Sequence, residues 1–169
     1  MRIKVMQIGS WFDWLKKSEL IELKTIDINE DPIRPDVSLA FRTQLGRKIY
    51  GLKHGDDIVA VMCFAFTNRV PRTLNELDYY SKEASLQAAH RAGVQGTIAV
   101  AYTVWSRKKG GGKKIVKEVY KMIKQSNHLN RLVTLSPYTE MATKFHLSNG
   151  AKLLQKNLWT QNFEYRIDK

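Results

Sequence analysis

The sequence predicts an α/β (α+β) fold, one domain over residues 1–169 built on a mixed sheet of about six to seven strands. Three observations predict it. Two apolar strands flank the turn signal His54-Gly55-Asp56. A third apolar strand, Gly96 to Trp105, runs through a glycine loop into a strongly periodic helix. Two further strands close the chain, Ala151 to Leu158 and Asn162 to Ile167.

Taken in order, Arg2 to Ile8 reads as a strand with Ile3 and Val5 on one face. Ser10 caps a helix from Trp11 to about Leu23, where Trp11, Trp14 and Leu15 lie at helical spacing. Asp31-Pro32-Ile33-Arg34-Pro35-Asp36 breaks regular structure and leads to a short helix around Val37 to Leu45. The hairpin strands are Lys48 to Lys53 and Asp57 to Phe66; Asn68 to Leu74 is a loop. Leu77 to Ala92 is a helix that stops near Gly93. After the glycine loop, Ile115, Val116, Val119, Tyr120 and Ile123 share one helical face, and lysines take the rest. Arg131 to Leu135 is a strand, and Pro137 to His146 a helix with Met141, Ala142 and Phe145 inward, closed by Asn149-Gly150.

The hydrophobic share of 43% argues against disorder, and no apolar run reaches the ~18 residues of a membrane helix. A single cysteine, Cys63, excludes an intramolecular disulfide and the usual four-ligand cysteine zinc site; it reads as packing in a reducing, cytoplasmic interior. His54, His90 and His128 show no metal-ligand spacing, so no metal is expected. The four tryptophans, Trp11, Trp14, Trp105 and Trp159, read as core. Net charge is +12, and from Arg107 to Arg131 nine basic residues face one acid, Glu118. That balance suits an anionic ligand, an acidic partner or a nucleic acid.

A strand, a glycine loop and a helix make a phosphate site: glycine lets the backbone approach a ligand, and free N–H groups at the helix start point at the anion. The nucleotide P-loop is excluded, since it needs Gly at Arg107 and Ser or Thr at Lys114. The dinucleotide loop is excluded too, because it needs Gly at Ile115.

What remains is Arg107-x-x-Gly110-x-Gly112, which resembles the acyl-CoA signature of the GNAT superfamily. Thr139 to Ala151 resembles a second pattern of that family through Ala142, Phe145 and Gly150. The resemblance implies a mostly antiparallel sheet, splayed in the middle, with helices on both faces. It implies acetyl-CoA as co-substrate, its pantetheine arm on the main chain of Ala101, Tyr102 and Thr103. Arg107, Lys108, Lys109, Gly110, Gly111, Gly112 and Lys113 would hold the pyrophosphate, and Thr139 stands where the family often has a ligand-contacting Asn. His146 occupies the position of the family's usual Tyr acid, and Ala151 replaces its usual Phe. Leu135-Ser136-Pro137 and Phe145 to Ala151 also resemble the catalytic domain of malonyl-CoA decarboxylases, without that family's extra helical domain.

Acyl transfer to an amine needs a deprotonated nucleophile, a donor for the thioester oxygen and a proton for the departing thiolate. No acid lies on the strand Thr97 to Trp105. His146 is the first candidate for the proton donor, because imidazole titrates near neutrality; the competing reading is a helix-ending hydrogen bond to a carbonyl. Tyr138 and Tyr102 are the fallback acids, against core or wall packing. Ser136 either orients the thioester or caps the helix after Pro137. The leading expectation is therefore an N-acetyltransferase using acetyl-CoA, with an amine acceptor that is small, acidic or carried on nucleic acid, no membrane role and a homodimer as one assembly. The alternatives are a basic nucleic-acid-binding module, an acyl-CoA decarboxylase and a CoA sensor without turnover.

Overall fold

The computed structural model describes residues 17–90 and 96–169. Eight strands form one sheet: β1 Ser18–Leu23, β2 Lys48–His54, β3 Asp57–Thr67, β4 Ile98–Ser106, β5 Arg131–Thr134, β6 Ser136–Pro137, β7 Lys152–Lys156 and β8 Thr160–Tyr165. The order is β1-β2-β3-β4-β5-β8-β6, with β7 on β8, and only β4 and β5 run parallel. Among the described residues, four α-helices cover it: α1 Leu39–Thr43, α2 Leu74–His90, α3 Gly111–Gln125 and α4 Glu140–Ser148. Ile115, Val116, Val119 and Ile123 of α3 bury one face of the sheet together with Phe64, Leu132 and Phe163. Leu77 of α2 and Leu39 and Phe41 of α1 close the other, over Ile49, Val61 and Val100. The mixed, mostly antiparallel sheet with helices on both faces is as the sequence predicts.

Several elements differ. The strand at Arg2 to Ile8, and Trp11 and Trp14, lie outside the described residues. Where a helix is expected to continue to Leu23, Ser18–Leu23 is an edge strand on β2. Leu20 packs on one face of the sheet and Leu23 on the other, which an i, i+3 pair does in a strand and not in a helix. The helix expected from Pro137 starts at Glu140, because Pro137 is still paired with Thr160 and Thr139 makes the cap. Trp159 stands at a hairpin tip, 76% exposed, and is not core; Met141, expected inward, is 69% exposed.

Two irregularities shape the middle of the sheet. Cys63 pairs with Thr103 and Phe64 with Ala101, so Tyr102 is an extra residue, a β-bulge, in β4. Val59 is likewise skipped between β2 partners, Leu52 pairing with Ala60 and Lys53 with Ile58. The β4–β5 ladder is only four residues long, ending at Ala101 and Thr134. Its last rung is Leu135 N–H to the Ala101 carbonyl, at 2.9 Å. Past it β4 continues beside β3, and the other branch goes to β8 through Ser136 and Pro137. The sheet splays there.

Candidate acyl-CoA cleft

The loop between β4 and α3 is anchored from below. The skipped Val59 offers its carbonyl to the N–H groups of Arg107 and Lys108, at 2.8 and 3.2 Å. Gly111 N–H donates to the Lys108 carbonyl, and Gly112 N–H to Ser106 Oγ. Lys114 N–H donates to the Gly110 carbonyl, the first bond of the helix. Among the described residues, the loop amides without a hydrogen-bond partner are those of Lys109, Gly110 and Lys113. They sit at the start of a fifteen-residue helix, where an anion is stabilised. Arg107 and Lys108, expected as pyrophosphate ligands, already hold Glu30 and Asp57 at 2.7 and 2.6 Å. Of the cations at the loop and the helix start, Lys109, Lys113 and Lys114 carry no ion pair among the described residues.

A cleft of about 270 Å³ occupies the splay. Ser106 and Gly112 of the loop line it, together with Ser136 and His146. Its walls are largely apolar, among them Met62, Val104, Leu135 and Phe145, with Pro32 and Ile33 from the breaker region. No carboxylate side chain lines it among the described residues. Of the three main-chain contacts expected for pantetheine, two carbonyls are engaged: Ala101 accepts from Leu135, and Tyr102 accepts from Arg34 Nε at 2.9 Å. The edge of β4 that has lost β5, from Thr103 onward, is what remains for an extended ligand.

His146 is 6% exposed, on the last turn of α4. Its Nε2 lies 3.0 Å from Ser136 Oγ and its Nδ1 2.9 Å from the Tyr165 hydroxyl. Ser136 Oγ donates to Thr134 Oγ1 at 2.9 Å, and Thr134 Oγ1 also accepts the Phe163 N–H. All four side chains line the cleft. Burial pushes His146 down to about 4, so the imidazole is neutral at pH 7. That corrects the expectation of a resting imidazolium acid titrating near neutrality. Burial also raises the Tyr165 phenol above its ordinary range.

The remaining candidates fall elsewhere. Tyr138 is half exposed beneath Lys156 and does not line the cleft, because Pro137 turns with β6 and carries the next side chain outward. Tyr102 packs edge-on against Phe41, and burial raises its phenol, so it is wall and not acid. Thr139 spends its hydroxyl accepting the Ala142 N–H as the α4 N-cap, the role also considered for Ser136. Cys63 is buried, and its thiol is pushed up to about 11.

Four residues of the site escape sequence reading: Asp31, Arg34, Thr134 and Tyr165. Asp31 and Arg42 form an ion pair at 2.8 Å with both side chains fully buried. Asp31 also accepts from Thr103 Oγ1 and from the N–H groups of Ile33 and Arg34. Thus fixed, Arg34 donates to Tyr102 O and, at 3.0 Å, to Leu135 O, bridging the two strands where they part. A breaker-rich stretch signals a loop and says nothing of these partners, which lie 68 and 101 residues away.

No protein-family model matches the chain, and no curated protein matches it in sequence. Solved structures do. The GNAT-like decarboxylase GphF, in complex with isobutyryl-CoA, aligns with a TM-score of 0.66 at 11% identity, over 89% of this chain and 100% of that one. The loading GNATL domain of CurA from Lyngbya majuscula aligns at 0.60 and 14% identity, over 90% and 98%. The N-acetyltransferase PseH of Campylobacter jejuni, in complex with acetyl coenzyme A, aligns at 0.57 and 12% identity, over 90% and 100%. The chain has the GNAT fold, and at these identities the fold is what is shared.

Proposed function

We propose that the protein is an acyl-CoA-dependent acyltransferase that moves an acetyl group from acetyl-CoA to an amine. The observation that carries the reading is a single cleft in the sheet's splay, lined both by the phosphate-binding loop and by Ser136 and His146. The amides of Lys109, Gly110 and Lys113 suit the CoA pyrophosphate, and Lys109, Lys113 and Lys114 add charge. The free edge of β4 suits the pantetheine amides. Ser136 is placed to meet the thioester oxygen, where charge develops during attack. The amine then loses its proton to water, since no carboxylate lines the cleft among the described residues, and the C–S bond breaks to release the coenzyme A thiolate, which takes a proton from water.

That same lack of a carboxylate favours a second reaction, decarboxylation of a malonyl-type acyl-CoA. There the C–C bond to the carboxylate breaks, carbon dioxide leaves, and the electron pair becomes a thioester enolate that takes a proton from water. An apolar wall and a donor to the thioester oxygen are what this step needs, and an amine base is not. GphF, with a similar fold, is a GNAT-like decarboxylase.

Calorimetry with acetyl-CoA tests the shared part. The Lys109→Glu, Lys113→Glu variant reverses two exposed charges and is expected to weaken binding on the order of 10–100-fold. Absence of binding to the folded wild type would overturn the proposal. Turnover separates the two reactions: transfer releases a free thiol only when an amine is present, whereas decarboxylation turns malonyl-CoA into acetyl-CoA with no free thiol.

A further inference from the structure

Large apolar side chains are not exposed evenly over the molecule. Nine are exposed among the described residues, and seven of them fall between Tyr138 and Trp159, the stretch that forms α4, β7 and the turn into β8. The other two, Tyr79 and Leu86, lie on α2. A side chain of this size presents on the order of 200 Å² when fully exposed, so at the exposures found the seven present about 800 Å². The largest apolar patch on an ordinary monomer is about 300–600 Å², whereas each side of a standard protein–protein interface buries about 800 Å².

The patch has a fixed shape. Leu158, 81% exposed, and Trp159 are the two central residues of the β7–β8 turn, where Gly, Asn or Asp is the ordinary choice. Asn157 holds that turn: its N–H donates to the Thr160 carbonyl at 2.8 Å, and its Nδ2 to Thr160 Oγ1 and Asn162 Oδ1 at 2.9 and 2.8 Å. Residues directly opposite on paired strands share a face. Leu153 is opposite Phe163, whose ring stacks on His146 of α4. Lys156 is opposite Gln161, which donates to Thr143 of α4. Leu153 and Lys156 therefore stand on the α4 side. Lys156 Nζ lies 5.7 Å from the Tyr138 ring centroid, which joins the turn to the start of α4. Met141 carries the patch to the cleft, which it lines.

Charge decides what covers it. Lys152 and Lys156 stand at the two ends of β7 and carry no ion pair among the described residues. The nearby acids are engaged: Glu164, opposite Lys152, holds Arg131 at 2.7 Å, and Glu140 lies 3.9 Å from Lys144. A second copy of the chain would bring the same lysines into one twofold interface, on subunits of net charge +12, and lysines on an edge strand act against such pairing. A nucleic-acid interface is polar and strongly cationic, and this surface is rich in leucine.

We propose that α4, β7 and the β7–β8 turn form a docking surface for an acidic partner protein, with Leu158 and Trp159 as its apolar anchors and Lys152 and Lys156 as its charge contacts. Aromatic anchors beside a charged rim are the composition of a protein interface. A partner seated there lies beside the cleft at Met141. The surface stands whether or not the chain turns over acyl-CoA.

The probe is a phage-displayed library of short random peptides, selected on the folded wild-type chain. Enriched peptides are expected to combine Asp or Glu with Leu, Phe or Trp. A Leu158→Ser, Trp159→Ser variant changes exposed turn positions, and a thermal melt checks that it is folded. It should bind the selected peptides about 10-fold more weakly, read by fluorescence anisotropy. Lys152→Glu, Lys156→Glu should lose the same peptides and gain their charge-swapped copies, with Lys in place of each acid, which the wild type rejects. A library that yields no binder, peptides without acidic bias, or peptides that bind both variants as they bind the wild type overturn the proposal. So does any other occupant that the Leu158→Ser, Trp159→Ser variant loses: a dimer by sedimentation equilibrium, vesicles of phosphatidylcholine and phosphatidylserine, or a single-stranded oligonucleotide.

Discussion

A Cβ built on Gly111 would lie 2.4 Å from the Val59 carbonyl oxygen, whereas one on Gly110 would meet nothing within 4 Å. The first glycine is kept by packing and the second by its φ of 81°, a left-handed conformation that side chains resist. Gly111→Ala should therefore cost about 1–3 kcal/mol, since strand backbone and loop must both shift. Gly110→Ala should cost about 1 kcal/mol and leave the strand alone. Urea unfolding of the two variants checks the order. At Gly112 a Cβ would stand 3.0 Å from Phe145, so Gly112→Ala is expected to crowd the cleft and raise KM before it lowers stability. A pH experiment belongs to His146. Its folded value of about 4 lies below the ordinary ~6.5, so between these pH values the unfolded chain binds the extra proton. Stability is then fully present above about pH 6.5 and falls as pH drops towards 4, by roughly 3 kcal/mol in all. His146→Gln should flatten that part of the curve. The glycines were legible in the sequence because a short motif carries them. Tyr165 was not, because the residue it touches is 19 positions away and on another element.

The splay is held open by an element that has no regular structure. The stretch from Asp31 to Val37 is pinned by Arg42, which donates to Asp31, to the Val37 carbonyl and to the Arg34 carbonyl. Removing one partner of a fully buried pair leaves the other charge uncompensated, so Asp31→Ala should cost about 3–5 kcal/mol, read from chemical denaturation. Arg34→Gln tests the bridge alone: it gives up the donor pair spanning Tyr102 and Leu135 and should raise KM for acyl-CoA with a smaller loss of stability. The apolar strands β2 and β3, set off by the turn between them, and the periodic α3 were legible because a strand-length apolar run and a 3.6-residue period each admit one element. The last turn of the expected N-terminal helix was misread because Leu20 and Leu23 fit either period. Only the partner strand, with Glu22 tied to Lys48 at 2.9 Å, decides between them. The bulges at Val59 and Tyr102 left no mark on composition at all, yet they clamp the loop and break the sheet.

At the scale of the molecule the question is whether +12 charges serve one anion or two. Lys113, Lys114, Lys117, Lys121 and Lys124 are all exposed and fall within one face of α3. At a rise of about 1.5 Å per residue, the last three stand roughly 9–20 Å along the helix from its start, beyond the loop that suits a pyrophosphate. Lys121 is paired with Glu118, and the others carry no ion pair among the described residues. Such a stripe should attract any polyanion without reading it, since phosphate contacts position and do not specify. Duplex DNA is therefore expected to bind weakly, with Kd on the order of 1–100 µM near physiological salt and a log–log salt slope of about −3 to −4.5 for up to five lysines. A Lys117→Glu, Lys121→Glu, Lys124→Glu variant should lose that binding and keep acetyl-CoA affinity within about 2-fold, while the Lys109→Glu, Lys113→Glu variant should lose CoA first. Fluorescence anisotropy of labelled DNA across a salt series, beside calorimetry of CoA, reads both. Separable losses would mean that the loop and the stripe are distinct sites on one helix. A nanomolar DNA complex that survives 300 mM salt would instead mean that the amine acceptor arrives on nucleic acid, and that the basic face belongs to substrate recognition.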